Sequence, residues 1–490
     1  MTPSQLQKLT DRLISSANQE IDKNNFKSAY FFLSSTAGLC RRFPFCFTHE
    51  GLEESLQRST KKFFENQKFP PGEKKVITWV IATSIRSTGG HSRYALNLIR
   101  NLSDIEMNKQ TAESNQPTAI HLILTNQIAP IPEMMKHFNQ GQIHNLNNDT
   151  KDPIEKIMIL RELIEKNTTH HIYYLIDPDD VLTILSLQSH NYSSTYINHS
   201  DETFWAGNKL AKQYAEMRYE GLYISKHFRK IDKASSVIFP IPIEENKISL
   251  VPPAPENHPV LEKIRNIPKS AFVCLSVNPV YKLTPYKQYD FYETLERILE
   301  IAPHVWLIAV GHGIPEKLKL VSLRFMERVI LWNSYPYDLS PLFSRANLLL
   351  DGFPLGSTTV LLEYLRFKKP FLTLAIPQAD VLGSQDPRLS CPEFEVSNRI
   401  SYLQKVQSMV EYYPEHKKMA EEYYDRFLRF KNLDYKPVLK FDSDFTMSDE
   451  LILEILRHTH GFSGMDFYKF VIKLRVPLWV KWRIVKGMKN

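Results

Sequence analysis

Apolar positions along this chain fall into two rhythms. Near the start, Leu6, Leu9, Leu13 and Ile14 recur at three- and four-residue intervals, which lines them along one face of a helix. Asp22-Lys-Asn-Asn25 breaks that pattern, Phe26 to Leu39 resumes it, and a second helical pair is expected after Pro44. Residues 4 to about 67 therefore read as helices. From Val76 onward the rhythm changes to short, unbroken apolar runs separated by amphipathic stretches. Runs of this kind suit parallel strands buried on both faces. They occur at Val76–Ala82, Ala119–Thr125 and His171–Ile176, and again at Phe272–Val277, His304–Val310, Val329–Trp332, Ala346–Leu350 and Phe371–Ala375, and the more polar Ser194–Asn198 reads as a fourth strand of the first set. Helical periodicity fills the intervals at Tyr94–Leu102, Pro153–Lys166, Tyr289–Ile301, Val360–Phe367 and residues 400 to 430, the last broken near Tyr413-Pro414. Met217–Ser225 and Val237–Pro240 read as further short strands or turns.

Strand and helix in alternation predict an α/β protein with parallel sheets. The proline-rich stretch from Pro240 to Pro259 is a natural joint. The expected organisation is a helical region over residues 1–70, a Rossmann-like domain over 71–245, a second over 260–435, and a C-terminal tail over 436–490. The hydrophobic fraction of 43% and charged fraction of 23% are those of a globular chain, and 490 residues suffice for two large domains with an appendage. A net charge of +7 is mild for this length. It suits an anionic ligand or membrane surface and gives no reason to expect nucleic acid. The four cysteines, Cys40, Cys46, Cys274 and Cys391, are too scattered for a metal site or a disulfide framework. With no signal-peptide pattern at Met1 and no long uncharged apolar window, a cytoplasmic protein is expected.

The chemistry gathers around Asp351-Gly-Phe-Pro-Leu-Gly-Ser-Thr-Thr359, which joins an apolar strand to a helix. A turn leading into a helix N-terminus offers unpaired backbone N–H groups and a positive dipole end, so Gly356, Ser357, Thr358 and Thr359 suit a phosphate. Glu363 follows about one turn later and can accept hydrogen bonds from the two hydroxyls of a ribose. An ordinary strand-to-helix turn with Ser or Thr as its cap has the same spacing. Lys282, after the strand Phe272–Val277, can meet an anionic group as a point charge, or be a solvated loop lysine. In the first domain, strand, Gly89-Gly90 and helix form an opening unit that lacks the dinucleotide G-x-G-x-x-G pattern, so a nicotinamide cofactor is not expected. His91 and Arg93 there can touch an acceptor or a phosphate, or serve as cap and solvated charge. His199, just past a strand, can hydrogen-bond a hydroxyl or take a proton, with Asp201 beside it and Phe204-Trp205 packed beneath. Asp177-x-Asp179 has the spacing of a metal-binding acid pair, but Asp-Pro is also a turn signal and Asp caps helices.

The loop Asp351-x-x-Pro354-x-Gly356-x-Thr358-Thr359, with an acid four residues on, resembles the nucleotide-sugar loop of the O-GlcNAc transferases. It is closer still to the bacterial cytoplasmic glycosyltransferases related to the high-molecular-weight adhesin glycosyltransferase. Asn198-His199-Ser-Asp201-Glu-Thr-Phe-Trp205 is similar to that family's Asn-His-Ala-Asp-His-x-Phe-Trp segment. This chain has Glu363 where the family more often has Asp, Val360 where it has Gly, and Glu202 where it often has His. The resemblance covers roughly residues 75 to 390. It implies the GT-B fold, an α/β architecture of two Rossmann-like domains facing a central cleft, here with a small helical N-terminal region. It further implies metal-independent, inverting transfer of a sugar from a UDP-sugar to a protein side chain or saccharide, with no resident cofactor. His199, Asp201 and Lys282 are then the catalytic candidates, and Gly356 to Thr359, Glu363, Gly89, Gly90 and His91 the donor-binding ones. His199 is expected to face the Ser357–Glu363 helix across the cleft. The alternative is a non-catalytic nucleotide-sugar-binding or scaffold protein on the same fold.

The chain's last stretch has a different composition. Phe467 to Asn490 interleaves aromatic and aliphatic residues with seven basic ones and carries no acid. That composition suits an anionic membrane surface, giving a peripheral place on the inner face of the membrane. A tail packed on the N-terminal domain accounts for the same apolar positions.

Overall fold

The computed structural model describes residues 2–69, 73–86, 90–110, 119–132, 135, 142–188, 190–232, 235–238, 254–311, 313, 315–333, 337–384, 392–431, 447–460, 464–474 and 476–489. They form two compact units, Met1–Pro242 together with His460–Asn490, and Ile243–Thr459. Of the stretch expected as a single tail, the helix Asp449–Thr459 lies in the second unit, and the helices Gly464–Lys473 and Leu478–Lys489 lie in the first.

The first unit is built on a sheet of seven parallel strands: β1 (Glu73–Ala82), β2 (Ala119–Leu124), β3 (Ile143–Asn145), β4 (Asn167–Leu175), β5 (Ser194–Asn198), β6 (Gln213–Glu216) and β7 (Ser236–Ile238). Their order across the sheet is β3-β2-β1-β4-β5-β6-β7. The chain therefore reverses its direction of travel across the sheet between β1 and β4. In register, Ala82 pairs with Leu175, and Tyr174 with Tyr196, so the carboxyl ends of β1, β4 and β5 lie side by side. Three helices precede the sheet: α1 (Pro3–Asp22), α2 (Phe26–Arg42) and α3 (Glu50–Phe64). A single helix, α3, occupies the stretch after Pro44 where a pair was expected. Leu6, Leu9 and Leu13 of α1 and Phe32 and Leu33 of α2 share one core with Ile77, Trp79 and Ile81 of β1. The helical region is thus continuous with the hydrophobic interior of this unit. The C-terminal helices join the same core through Phe467, Val471, Val480 and Ile484.

The second unit repeats the scheme with β8 (Phe272–Val277), β9 (Val305–Val310), β10 (Val329–Trp332), β11 (Leu348–Leu350), β12 (Phe371–Leu374) and β13 (Glu395–Val396). Their order is β10-β9-β8-β11-β12-β13, again parallel throughout, with the reversal between β8 and β11. Every residue of β8, β11 and β12 is buried, as the unbroken apolar runs require. Met217–Ser225, read as short strands or turns, instead enters the helix Tyr219–His227. Buried Ile224 anchors that helix, and the contiguous Leu222-Tyr223-Ile224 shows no helical spacing in so short a stretch. The four-residue strand β6 begins with an exposed glutamine, and no strand pattern marks it in the sequence.

Candidate functional site

In an open parallel sheet, ligands bind beyond the carboxyl ends of the strands, where the strand order reverses. In the second unit that place is occupied by Asn278, the first residue after β8, and Asp351, the first after β11. Asp351 is buried, and its Oδ1 accepts the Ser357 N–H at 3.0 Å, which folds the intervening residues into a tight turn. Phe353, joined to Pro354 by a cis peptide bond, packs edge-on against Phe291 at 5.1 Å and Tyr402 at 5.4 Å. Gly356 admits no larger residue, because a Cβ there would lie 2.4 Å from Ser384 Oγ and 2.7 Å from Asp351 Oδ2. Its N–H donates to the Leu382 carbonyl at 2.7 Å.

Ser357 stands at the N-cap of the helix Thr358–Leu365, but its hydroxyl does not cap that helix. It donates instead to Asn278 Oδ1 at 2.7 Å, and Asn278 in turn donates to Ser276 Oγ at 3.1 Å. With no side-chain cap, the opening N–H groups of this helix remain available to an anion. The simple strand-to-helix turn with a capping serine is therefore not what forms here. The Lys282 ammonium, on a short 3₁₀ turn Val280–Leu283, donates to the Gly356 carbonyl and lies 3.3 Å from Ser357 Oγ. Lys282, Gly356, Ser357 and the half-buried Thr358 and Thr359 thus belong to one locus, with half-buried Glu363 one turn along the same helix. Burial pushes the Asp351 carboxyl up to about 6, against the opposing pull of Ser384, Ser357 and Lys282. Asn278 and Ser384 were not singled out in the sequence. The Asn-Pro step directly after β8 marks the first, whereas nothing local marks the second.

At the corresponding place in the first unit, His91 opens α4 (Gly90–Gln110) and His199 follows β5. Their rings meet edge to face with centroids 4.2 Å apart. His199 Nδ1 is enclosed and has no hydrogen-bond partner among the described residues, and the His91 ring is enclosed beside the Ser84 backbone. Burial holds the His199 imidazole well below its ordinary range, and the nearby His91 and Arg41 lower it further. Burial also lowers His91, with the Asp177 carboxylate opposing. Both rings are therefore neutral near pH 7, the state in which a histidine can accept a proton. Arg41, from α2, lies 3.7 Å from Asp177 and pairs more closely with Asp179. These two acids share one guanidinium. Among the described residues, no group of three or more potential ligands is placed to hold a metal ion.

Asp201 has other company. It is buried in a two-point pair with Arg218, Nε to Oδ2 at 2.8 Å and Nη2 to Oδ1 at 2.7 Å. Burial alone would raise its carboxyl, but the Arg218 charge and hydrogen bonds hold it below the ordinary value. Arg229 donates to the carbonyls of Asp201 and Thr203 and stacks over Trp205 at 5.0 Å. The structure brings His199 together with His91 and places Asp201 in this ionic framework. Gly90 begins α4, while Gly89 lies outside the described residues, as does the side chain of Arg93.

No family model matches the sequence, and no curated protein matches it. Solved structures do. A glycosyltransferase from Rickettsia africae superposes with a TM-score of 0.51 at 13% identity, covering 80% of this chain and all of that one (100%). An O-GlcNAc transferase variant from Thermobaculum terrenum gives a TM-score of 0.51 at 10% identity, covering 97% of this chain and 83% of that one. At such identities the likeness is one of architecture, and the architecture is GT-B.

Proposed function

We propose that this chain is a glycosyltransferase whose second unit holds a UDP-sugar and whose transfer is inverting and metal-independent. The observation that carries the reading is the group formed by Lys282, Ser357 and the uncapped N-terminus of the helix Thr358–Leu365. In group transfer from a nucleotide sugar, the bond from the anomeric carbon to the diphosphate breaks and negative charge collects on the leaving oxygen. A preorganised ammonium and helix N–H groups stabilise that charge most where it develops. The hydroxyls of Thr358 and Thr359 contact the diphosphate, and Glu363 accepts from the ribose. His199, neutral and paired with His91, receives the proton of the acceptor, a protein side chain or a saccharide hydroxyl. The reaction belongs in the cytoplasm, where thiols such as Cys40 and Cys46, both free in the structure, stay reduced. The Rickettsia africae and Thermobaculum terrenum neighbours, both glycosyltransferases by name, agree with this reading.

The experiment is titration of the protein with UDP and UDP-sugars, together with measurement of UDP release. Lys282→Ala is expected to weaken UDP binding and slow turnover by about 100-fold, the typical cost of one charge-stabilising group. Unchanged affinity and turnover in a folded variant would overturn the assignment. Binding without UDP release, with or without candidate acceptors, would instead favour a non-catalytic nucleotide-sugar-binding protein.

A further inference from the structure

The two C-terminal helices are apolar on more sides than the fold uses. In Leu478–Lys489, Val480 and Ile484 enter the core of the first unit. Trp482 is two positions from each, which on a helix of 3.6 residues per turn is about 200° away. It is 61% exposed, and Leu478, on the same side, is 81% exposed. In Gly464–Lys473, Phe467 and Val471 are buried in the core, with the Phe467 ring centroid 5.8 Å from that of Phe43, while Ile472 is 71% exposed. Tyr468 and Trp479 extend this apolar surface at partial exposure. Such a cluster on a helix pair already anchored by its other side is unlike the scattered apolar residues of an ordinary surface.

The charges on these two helices are predominantly positive. Lys469, Lys473, Arg483 and Lys486 are exposed on these two helices, and Lys486 lies 4.7 Å from the Trp482 ring centroid. Asp466 is the single acid among residues 464–489. Lys481 donates to the Ile472 carbonyl and ties the second helix to the end of the first. Large aromatic and aliphatic side chains ringed by lysine and arginine match an anionic lipid interface. There the rings and alkyl stems enter the headgroup region and the cations meet phosphate. We propose that this face of helices 464–473 and 478–489 docks the protein on an anionic bilayer, with Ile472, Leu478 and Trp482 as the inserted residues. The first unit holds the pair from behind through Phe467, Val471, Val480 and Ile484. Docking therefore requires no unfolding of the tail and stands independently of the sugar-transfer reading.

The test is co-sedimentation of the full chain with vesicles of phosphatidylcholine, with and without phosphatidylglycerol. Binding is expected with the anionic lipid, reversed by salt and absent with phosphatidylcholine alone. The double variant Leu478→Glu/Trp482→Glu is expected to lose binding with its melting temperature intact, since both side chains already face water. Arg483→Gln/Lys486→Gln should weaken partition by about 30-fold, from about 1 kcal/mol per charge, and checks the proposal without replacing an apolar residue. Absence of wild-type binding to anionic vesicles, or equal binding by both variants, overturns it. So does a concentration-dependent dimer that the glutamate variant abolishes, because the face would then join two copies of this chain.

Discussion

His199 and Asp201 stand two residues apart in the sequence and have different surroundings. The histidine lies edge-on to His91, with neither ring carrying charge near neutral pH. The aspartate accepts two hydrogen bonds from the single guanidinium of Arg218. If His199 accepts the acceptor's proton, His199→Ala should lower kcat by about 10²–10⁴-fold and leave UDP affinity nearly unchanged. A lowered melting temperature with normal turnover would show it to be a packing residue instead. The depressed pKa also gives the pH profile a sign. The neutral base persists as pH falls through 6.5, the ordinary histidine value, so the acidic limb of kcat should lie below that point. At this scale the sequence exposes residue types and spacing but not partners. His199 and Lys282 stand out because each follows an apolar run that becomes a strand. Nothing near Arg41 foretells that it reaches Asp177 and Asp179 from another helix, and nothing near Asp201 foretells Arg218.

Elements were legible where one interaction dominates. The fully buried strands β8 and β11 appear as almost wholly apolar runs because both of their faces are covered. The helix pair Arg399–Glu411 and Tyr413–Lys431 breaks next to Pro414, as expected for a residue with no N–H to donate. What holds elements to one another is less visible. Glu53, on α3, is buried and accepts the N–H groups of Gly207 at 2.7 Å and Asn208 at 3.1 Å, fastening that helix to the turn beyond Trp205. In sequence it is one more acid in a charged helix. Burial raises its carboxyl from 4.5 to about 7 despite those hydrogen bonds. A carboxyl raised on folding binds its proton more tightly in the folded state. Its contribution is therefore full below pH 4.5 and is lost as pH rises through 7. Glu53→Gln cannot titrate. The stability of the natural protein minus that of this variant should fall across that window by on the order of 2 kcal/mol. Denaturant unfolding of both proteins at pH 5 and pH 8 measures it, and a difference that ignores pH would show that Glu53 is not desolvated as the structure has it.

For the molecule as a whole, the two units repeat one plan, a parallel sheet with its order reversed between two central strands; in the second the candidate residues follow those strands, and in the first His91 follows β1 while His199 follows β5, the neighbour of β4. The plan was readable as alternation of strand and helix periods; how the terminal helices divide between core and surface was not, because buried and exposed apolar residues look alike in a sequence. Lys282 and the open helix terminus supply positive charge at the proposed diphosphate, and Asp177 and Asp179 are engaged by Arg41. Transfer is therefore expected to survive EDTA. Strict dependence on manganese or magnesium, abolished by Asp177→Ala, would require another mechanism.

The first unit is discontinuous, since residues 243–459 belong to the second and residues 460–490 return to the first. Phe467, Phe470 and Trp479, which pack on Phe43 and Phe32, leave the ribosome only after the whole second unit has been synthesised. At ~5–20 residues per second that interval is on the order of tens of seconds. Throughout it, α1 to α3 and the first sheet can assemble with Phe32 and Phe43 still uncovered. The nascent chain thus displays an aromatic surface that the finished protein hides, and timing makes it a natural handle for chaperones and a hazard when translation stalls before the last two helices.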